Sequence, residues 1–223
     1  MFVHRSLTLL LLALLLVSCA SVQIQDEVGT SAEARADSYA QDKEKLGVVL
    51  LDARWGRQWK CGKYENAQLV SFSFDKFPLS KKPDDAPTDL TIGTTSLLSV
   101  SQKFESYALL VPPGEYALSN FKIKVAQSAS NVGYWVAGRS HLIKDGKPIG
   151  GKFSVAPGEV VYIGNFALDC YGGPTLWRYH ATGRDGFTQQ LSDYKSKYPF
   201  LDLANVRFRL FETDTIGRPY DLR

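Results

Sequence analysis

Short segments rich in β-branched and aromatic residues follow one another from Leu46 almost to the end of the chain, and they constrain the fold most strongly. Gly, Pro, Asn and Asp separate them, and these residues interrupt strands and form turns. The segments are LGVVLLDARW, AQLVSFSFDKF, ESYALLV, EYALSNFKIKV, GYWVAG, GKFSV, EVVYIGNFAL and ANVRFRLFE. About eight strands at this spacing predict a mainly β fold, an antiparallel β-sandwich.

One amphipathic helix is predicted near the C-terminus, in GFTQQLSDYKSKYPF at 186–200. Its apolar residues repeat at helical spacing; they are Phe187, Leu191, Tyr194 and Tyr198. This stripe is a candidate partner-binding face, but amphipathic helices usually bury such a stripe within their own domain. We therefore expect it to pack on the sheet.

Two segments share a Pro-Gly pair between extended apolar residues: VPPGEYALSNFKIKV at 111–125 and VAPGEVVYIGNFAL at 155–168. Proline presets φ at the first corner of a turn and glycine allows a positive φ at the second, so each pair predicts a hairpin turn. In the first segment the inward-facing positions change parity near Ser119 and Asn120. This change predicts a β-bulge.

The turn PPGEYAL is similar to the P-P-G-x-Y-x-L turn of transthyretin-like and carboxypeptidase-regulatory-like β-sandwich domains. Both Pro-Gly segments together resemble the uncharacterised β-rich envelope lipoproteins of Gram-negative bacteria. The resemblance covers about residues 100–170. It implies the β-sandwich fold more than any activity.

The N-terminus carries a leucine-rich run from Leu7 to Val17, which is shorter than the roughly 20 apolar residues that span a bilayer. Such a run is typical of a secretory signal peptide. The segment Leu16-Val17-Ser18-Cys19 resembles the lipobox of bacterial lipoproteins. This resemblance implies that residues 1–18 are removed and that the Cys19 thiol is lipidated. The alternatives are an ordinary signal peptide, with Cys19 incidental, and an uncleaved anchor.

By the same resemblance, Ala20 after the cysteine is not the aspartate that favours retention at the inner membrane. We therefore expect lipid anchoring in the outer membrane, with the protein facing the periplasm. Residues 19–45 are mostly polar and predict a lipidated, flexible tether, and 46–223 form the β-sandwich domain. The alternative for the end of the tether is a first helix packed on the domain.

No catalytic motif stands out: the sequence lacks HExxH, GxSxG and a glycine-rich phosphate loop. Asp52 and Asp169 have no sequence neighbour that suggests a carboxylate pair. The net charge of +3 is mild and interspersed, which argues against nucleic-acid binding. We expect a non-enzymatic envelope protein without cofactor or metal, with a structural, assembly or interaction role and an envelope protein as partner.

Cys61 and Cys170 are the two cysteines that remain once Cys19 is lipidated. An even number in an oxidising compartment predicts a disulfide. Side chains alternate between the two faces of a strand, which places Cys170 on the same face as Tyr162, Phe166 and Leu168. Its thiol should therefore point into the core. The alternatives are two buried free thiols, or a zinc site that adds His141 and His180, although these four residues lack the paired spacing of zinc motifs.

Aromatic residues offer a second class of function, since their faces stack on sugars and cations. The candidates are Trp55, Trp59, Trp135 and Trp177, with Tyr134 and Tyr179 beside them. Core packing is the simpler interpretation of these residues. If they instead converge on one concave surface, the protein is a periplasmic binding module for a glycan or small ligand.

The lipobox gives a direct prediction: Cys19→Ser removes the thiol that takes the lipid. We expect labelled palmitate to enter the wild-type protein and not the variant, which should stay unprocessed or leave the membrane. Equal labelling of both proteins would contradict the lipobox assignment.

Overall fold

A computed structural model of the chain describes residues 30–79, 82–94, 100–179 and 183–216. The predicted lipobox and His180 lie outside these residues. The helices are α1 (Ala36–Asp42), α2 (Arg139–Leu142) and α3 (Gly183–Lys197). The strands are β1 (Gly47–Trp55), β2 (Arg57–Cys61), β3 (Tyr64–Phe77), β4 (Leu90–Gly93), β5 (Lys103–Val111), β6 (Gly114–Ser128), β7 (Asn131–Ala137), β8 (Lys152–Val155), β9 (Val160–Asp169), β10 (Thr175–Tyr179) and β11 (Arg207–Phe208).

The strands form two sheets that pack face to face, which confirms the predicted mainly β sandwich. Sheet I has the order β10-β9-β1-β5, with β11 also beside β9. Sheet II has the order β2-β3-β6-β7, with β4 beside β3 and β8 beside β6. Pairing is antiparallel throughout sheet II. Sheet I is mixed, because β9 runs parallel to β1 and to β11.

Aromatic rings from both sheets fill the space between them. Phe72 of β3 stacks on Phe166 of β9, with ring centroids 4.9 Å apart. Trp55 is only 1% exposed and donates its indole N–H to the Tyr107 hydroxyl at 2.7 Å. The N–H is the only polar group of the indole, so this hydrogen bond offsets the free-energy cost of removing the ring from water.

The Pro-Gly turns are crossovers between the sheets, and the prediction that they form hairpins is wrong. β5 belongs to sheet I and β6 to sheet II, while β8 belongs to sheet II and β9 to sheet I. Pro112 and Pro113 both lack the N–H that a hairpin ladder needs. The second turn keeps the expected local geometry, because Gly158 has φ +68° and the Glu159 N–H donates to the Ala156 carbonyl at 3.2 Å.

The predicted bulge in β6 is confirmed, because the register with β3 shifts where Asn120 faces Ser73 and Leu118 faces Phe74. A bulge in β9 was not expected. Its register with β1 shifts between the pairs Leu50–Tyr162 and Asp52–Asn165.

Cys170 packs against the sandwich core as predicted, but the bulge in β9 removes Tyr162 from the residues expected to share its face. Gly164 has φ +107° and supplies the backbone conformation that the irregularity needs. Phe166 and Leu168 therefore face the sandwich core, while Tyr162 belongs to a separate cluster on the outer side of sheet I. The alternation of side chains between the two faces of the strand is interrupted at the bulge, so it cannot be extended from one side of the bulge to the other.

The end of the predicted tether packs on the domain, so the expected boundary at Leu46 is too late. Ala34 donates its N–H to the Ala108 carbonyl at 2.7 Å, at the free edge of β5. Tyr39 of α1 is buried, and its ring lies 5.9 Å from that of Phe200. The edge of β5 offers backbone partners and the tyrosine adds apolar burial, so the packed-helix alternative holds from Ala34 onward.

Helix α3 buries the predicted stripe on the outer face of sheet I. Tyr194 and Tyr198 are buried, and Phe187 and Leu191 are partly buried against the same cluster. The packing interpretation of this face is confirmed. Among the described residues, no helix is both long enough and apolar enough to cross a membrane.

The predicted disulfide is present, and it ties the two sheets together. Cys61 ends β2 in sheet II and Cys170 follows β9 in sheet I, with their Cα atoms 4.6 Å apart. The two sulfur atoms are bonded to each other, so neither cysteine is a free thiol or a zinc ligand. Among the described residues, no group of three His, Cys, Asp or Glu side chains is placed to hold a metal.

Breaking this bond by the paired change Cys61→Ser and Cys170→Ser should destabilise the domain strongly. The bond spans 109 residues, and the chain-entropy model gives about 4 to 5 kcal/mol for a loop of that size. Urea unfolding with and without reductant checks this: reductant should lower the wild-type midpoint and leave the variant unchanged. An unaltered wild-type midpoint in reductant would show that the bond contributes little.

Candidate functional site

The four candidate tryptophans do not converge on one surface. Trp55 lies in the core and cannot be part of a surface platform. Trp177 alternates with the buried Leu176 on β10 and so lies on the outer side of sheet I. Trp135 lies beside Phe121, on the side of β7 that faces the core, with ring centroids 5.3 Å apart. Of the four candidates, Trp59 is the one that lies on the outer face of sheet II.

The outer face of sheet II carries a shallow cavity of about 380 Å³, here called the sheet II trough. The strand register builds it from two adjacent rows. One row runs Trp59, Asn66, Ala126, Val132, and the next runs Arg57, Gln68, Lys124, Tyr134. The trough is lined by both rows except Tyr134, which lies at its margin, and by Glu65, Ser128 and Ala129.

Two exposed aromatic rings stand at opposite margins of the trough. Trp59 is 53% exposed and Tyr134 is 42% exposed. The Arg57 guanidinium lies 5.4 Å from the Trp59 ring centroid, and Lys122 Nζ lies 4.1 Å from the Tyr134 ring centroid. These cation–π contacts orient both rings while large parts of them stay open to solvent.

The floor between the rings is polar. Gln68 is only 2% exposed, and Asn66 beside it is partly exposed. Arg57 and Lys124 add positive charge, and Glu65 adds one carboxylate. Within the described ranges, neither Arg57 nor Lys124 forms an ion pair. The trough thus combines aromatic faces, amides and available cations.

A second polar cluster surrounds Asp52, under helix α3. Asp52 Oδ1 accepts a hydrogen bond from Ser106 at 2.5 Å, and Oδ2 accepts from Gln190 Nε2 at 2.9 Å and from the Tyr194 hydroxyl at 3.1 Å. Gln190 Nε2 also donates to Asn165 Oδ1 at 2.9 Å. The β9 bulge places Asn165 opposite Asp52, so the backbone irregularity and the cluster belong together.

Burial raises the pKa of Asp52 to about 6, against the lowering effect of the hydrogen bonds from Ser106 and Tyr194. The carboxylate borders an open cleft of about 780 Å³, also lined by Glu105, Asp193 and Lys197. A perturbed carboxyl in a cleft is a candidate catalytic group. Here, however, both its oxygens are held by donors from β5 and α3, so its evident role is to fix α3 on sheet I.

Ser140, His141 and Asp84 have the residue types of a nucleophilic triad but the wrong arrangement. The Ser140 hydroxyl donates to Asp84 Oδ2 at 2.5 Å, and its Oγ lies 3.3 Å from His141 Nδ1. A working triad needs histidine between serine and carboxylate. Hydrogen bonds from Ser140 lower the pKa of Asp84, which also accepts the Ser140 backbone N–H at 2.9 Å. The cluster secures the start of α2.

Sequence reasoning identified Trp59 and Tyr134 but missed the residues between them. Arg57, Asn66, Gln68 and Lys124 come from three strands, and no local motif connects them. Their common signal is the alternation of polar with apolar side chains along each strand. It becomes informative once the strand order is known.

Comparison of the chain with protein-family models, with curated proteins and with solved structures finds no match. The suggested likeness to transthyretin-like domains and envelope lipoproteins therefore stays a prediction.

The buried Asp52 carboxylate should make part of the stability depend on pH. Its pKa rises from 3.8 to about 6 on folding, so its ionisation opposes folding. The folded state is favoured most below pH 3.8, where the carboxyl is neutral in both states. As the pH rises through 6, the free energy of unfolding falls by about 3 kcal/mol. Asp52→Asn should therefore unfold at a higher urea concentration than wild type at pH 7.5, and the difference should shrink at pH 4.

Asp193→Asn is the companion variant: Asp193 is exposed in the same cleft, and its charge is one of the lesser causes that raise the pKa of Asp52, so this variant should show a much smaller gain in stability. Urea unfolding of the three proteins at several pH values measures the effect. A constant difference between wild type and Asp52→Asn at all pH values would show that Asp52 does not titrate in this range.

Proposed function

We propose that the protein is an exported lipoprotein of the cell envelope, held in the outer membrane through Cys19 with its β-sandwich in the periplasm. The single observation that carries the export step is the bond between Cys61 and Cys170. Disulfides form and persist in oxidising compartments and are rare in the cytosol. The leucine-rich run and the lipobox-like segment before Ala20 supply the route and the anchor.

The role proposed for the folded domain is interaction rather than catalysis. The two polar clusters with catalytic residue types have structural tasks: Asp52 fixes α3, and Asp84 secures α2. In the second cluster the Ser140 hydroxyl donates to Asp84, so histidine does not stand between serine and carboxylate as a nucleophilic triad needs. This supports a non-enzymatic protein that works through its surface, without a nucleic-acid partner.

A binding module for a glycan or small ligand is the second candidate function. The sheet II trough favours it, because exposed aromatic rings border a concavity with a polar floor. A scaffold for another envelope protein would instead present a flat apolar patch of several hundred Å². Trp59 and Tyr134 at the trough are therefore the residues that we expect to contact a partner.

Fractionation combined with thiol labelling tests export and anchoring together. The full-length protein is expressed in a Gram-negative host beside a variant that lacks residues 2–18. We expect the wild-type protein in the outer-membrane fraction, with Cys61 and Cys170 unreactive to alkylating agents until reductant is added. The shortened variant should be soluble, with both thiols reactive.

Two outcomes would contradict the proposal. Wild-type protein in the soluble cytoplasmic fraction with reactive Cys61 and Cys170 would rule out export. Membrane attachment that persists in Cys19→Ser after the leader has been removed would rule out the lipid anchor.

A further inference from the structure

We propose that the sheet II trough binds an acidic oligosaccharide. This inference rests on the interaction role proposed above and names its ligand class; it does not depend on the lipid anchor. The chemistry of the trough matches three features of such a ligand: apolar sugar faces, hydroxyl or amide groups, and carboxylates.

The sugar faces are matched by the two rings. Trp59 and Tyr134 lie on β2 and β7, which are separated by β3 and β6 in the sheet. Three strand spacings put the margins about 14 Å apart, a span of about three pyranose rings. An extended oligosaccharide can thus cross the sheet and contact both aromatic margins.

The polar groups of the ligand are matched by the floor. Asn66 from β3 lies between Trp59 and Ala126 in the register, and Ala126 leaves room above the sheet where a larger side chain would fill the trough. The carboxamide of Asn66 has both a donor and an acceptor, as sugar hydroxyls and acetamido groups require. Ser128 adds a hydroxyl at one end.

The charge balance selects an acidic ligand over a neutral one. Arg57 and Lys124 line the trough against the single carboxylate of Glu65, and Lys122 lies just beyond it on β6. A carboxylate on the ligand can pair with the Arg57 guanidinium without breaking an ion pair of the described residues. Charge complementarity therefore favours sugars that carry carboxylates.

Calorimetric titration of the full-length protein in detergent tests the inference with two probes of equal length. One is a neutral tetrasaccharide of N-acetylglucosamine, and the other alternates N-acetylglucosamine with N-acetylmuramic acid bearing free carboxylates. We expect the acidic probe to bind more tightly than the neutral one. Trp59→Ala should weaken that binding about tenfold or more, and Trp59→Phe should restore part of it.

Lys124→Gln and Phe104→Ala complete the set. Lys124→Gln should weaken binding of the acidic probe more than binding of the neutral probe, because it removes a cation that lines the trough. Phe104 is an equally exposed aromatic residue on sheet I, so Phe104→Ala should bind like wild type. Urea unfolding of each variant verifies that the domain is intact.

The inference fails if wild-type protein binds neither probe, if both probes bind equally, or if an intact Trp59→Ala variant binds like wild type. It also fails if Phe104→Ala weakens binding as much as Trp59→Ala does, because the site would then not be the trough. These outcomes leave the location of the protein untouched, since anchoring is read from palmitate labelling and fractionation.

Discussion

The bulge at Ile163 and Gly164 exchanges the two faces of strand β9, so that positions of the same parity face different apolar clusters before and after it. Before the bulge Tyr162 contacts the helix side of sheet I, and after it Phe166 contacts the sandwich core. A regular strand would have placed both rings on one face, since side chains alternate with a period of two. The same irregularity places Asn165 opposite Asp52, where it accepts a hydrogen bond from Gln190 of α3, and it turns Phe166 into the core.

The two sheets therefore differ in how they meet solvent. Much of the outer side of sheet I is covered, because α1, α3 and the segment around Leu201 pack on it, while Phe104 stays exposed at the cleft beside Asp52. The outer side of sheet II keeps Trp59 and Tyr134 open, with the trough between them. The outer side of sheet II is thus less covered by other elements than the outer side of sheet I.

The sequence was sufficient to predict what depends on local pattern. Eight of the eleven described strands, the stripe of α3, the bulge near Ser119 and the disulfide were readable, since each needs only periodicity, turn chemistry or a cysteine count. Strands β2, β4 and β10 were not predicted, because they are short and lack a clear apolar pattern. The crossovers at Pro113 and Pro157 were not, because one turn sequence can join strands of the same sheet or of different sheets. The trough was also out of reach, since its residues meet through the strand order of sheet II.

The trough and the Asp52 cluster also differ in what the fold requires of them. Asp52 joins β1, β5 and α3 through its hydrogen bonds, so a change there alters the stability of the domain. Trp59 is half exposed at the edge of sheet II, where a large apolar ring adds little to folding and exposes apolar surface to water. Packing thus accounts for the buried polar cluster, whereas it does not account for the aromatic margins of the trough. A ligand that covers Trp59 and Tyr134 would supply the apolar burial that the isolated domain does not provide for them.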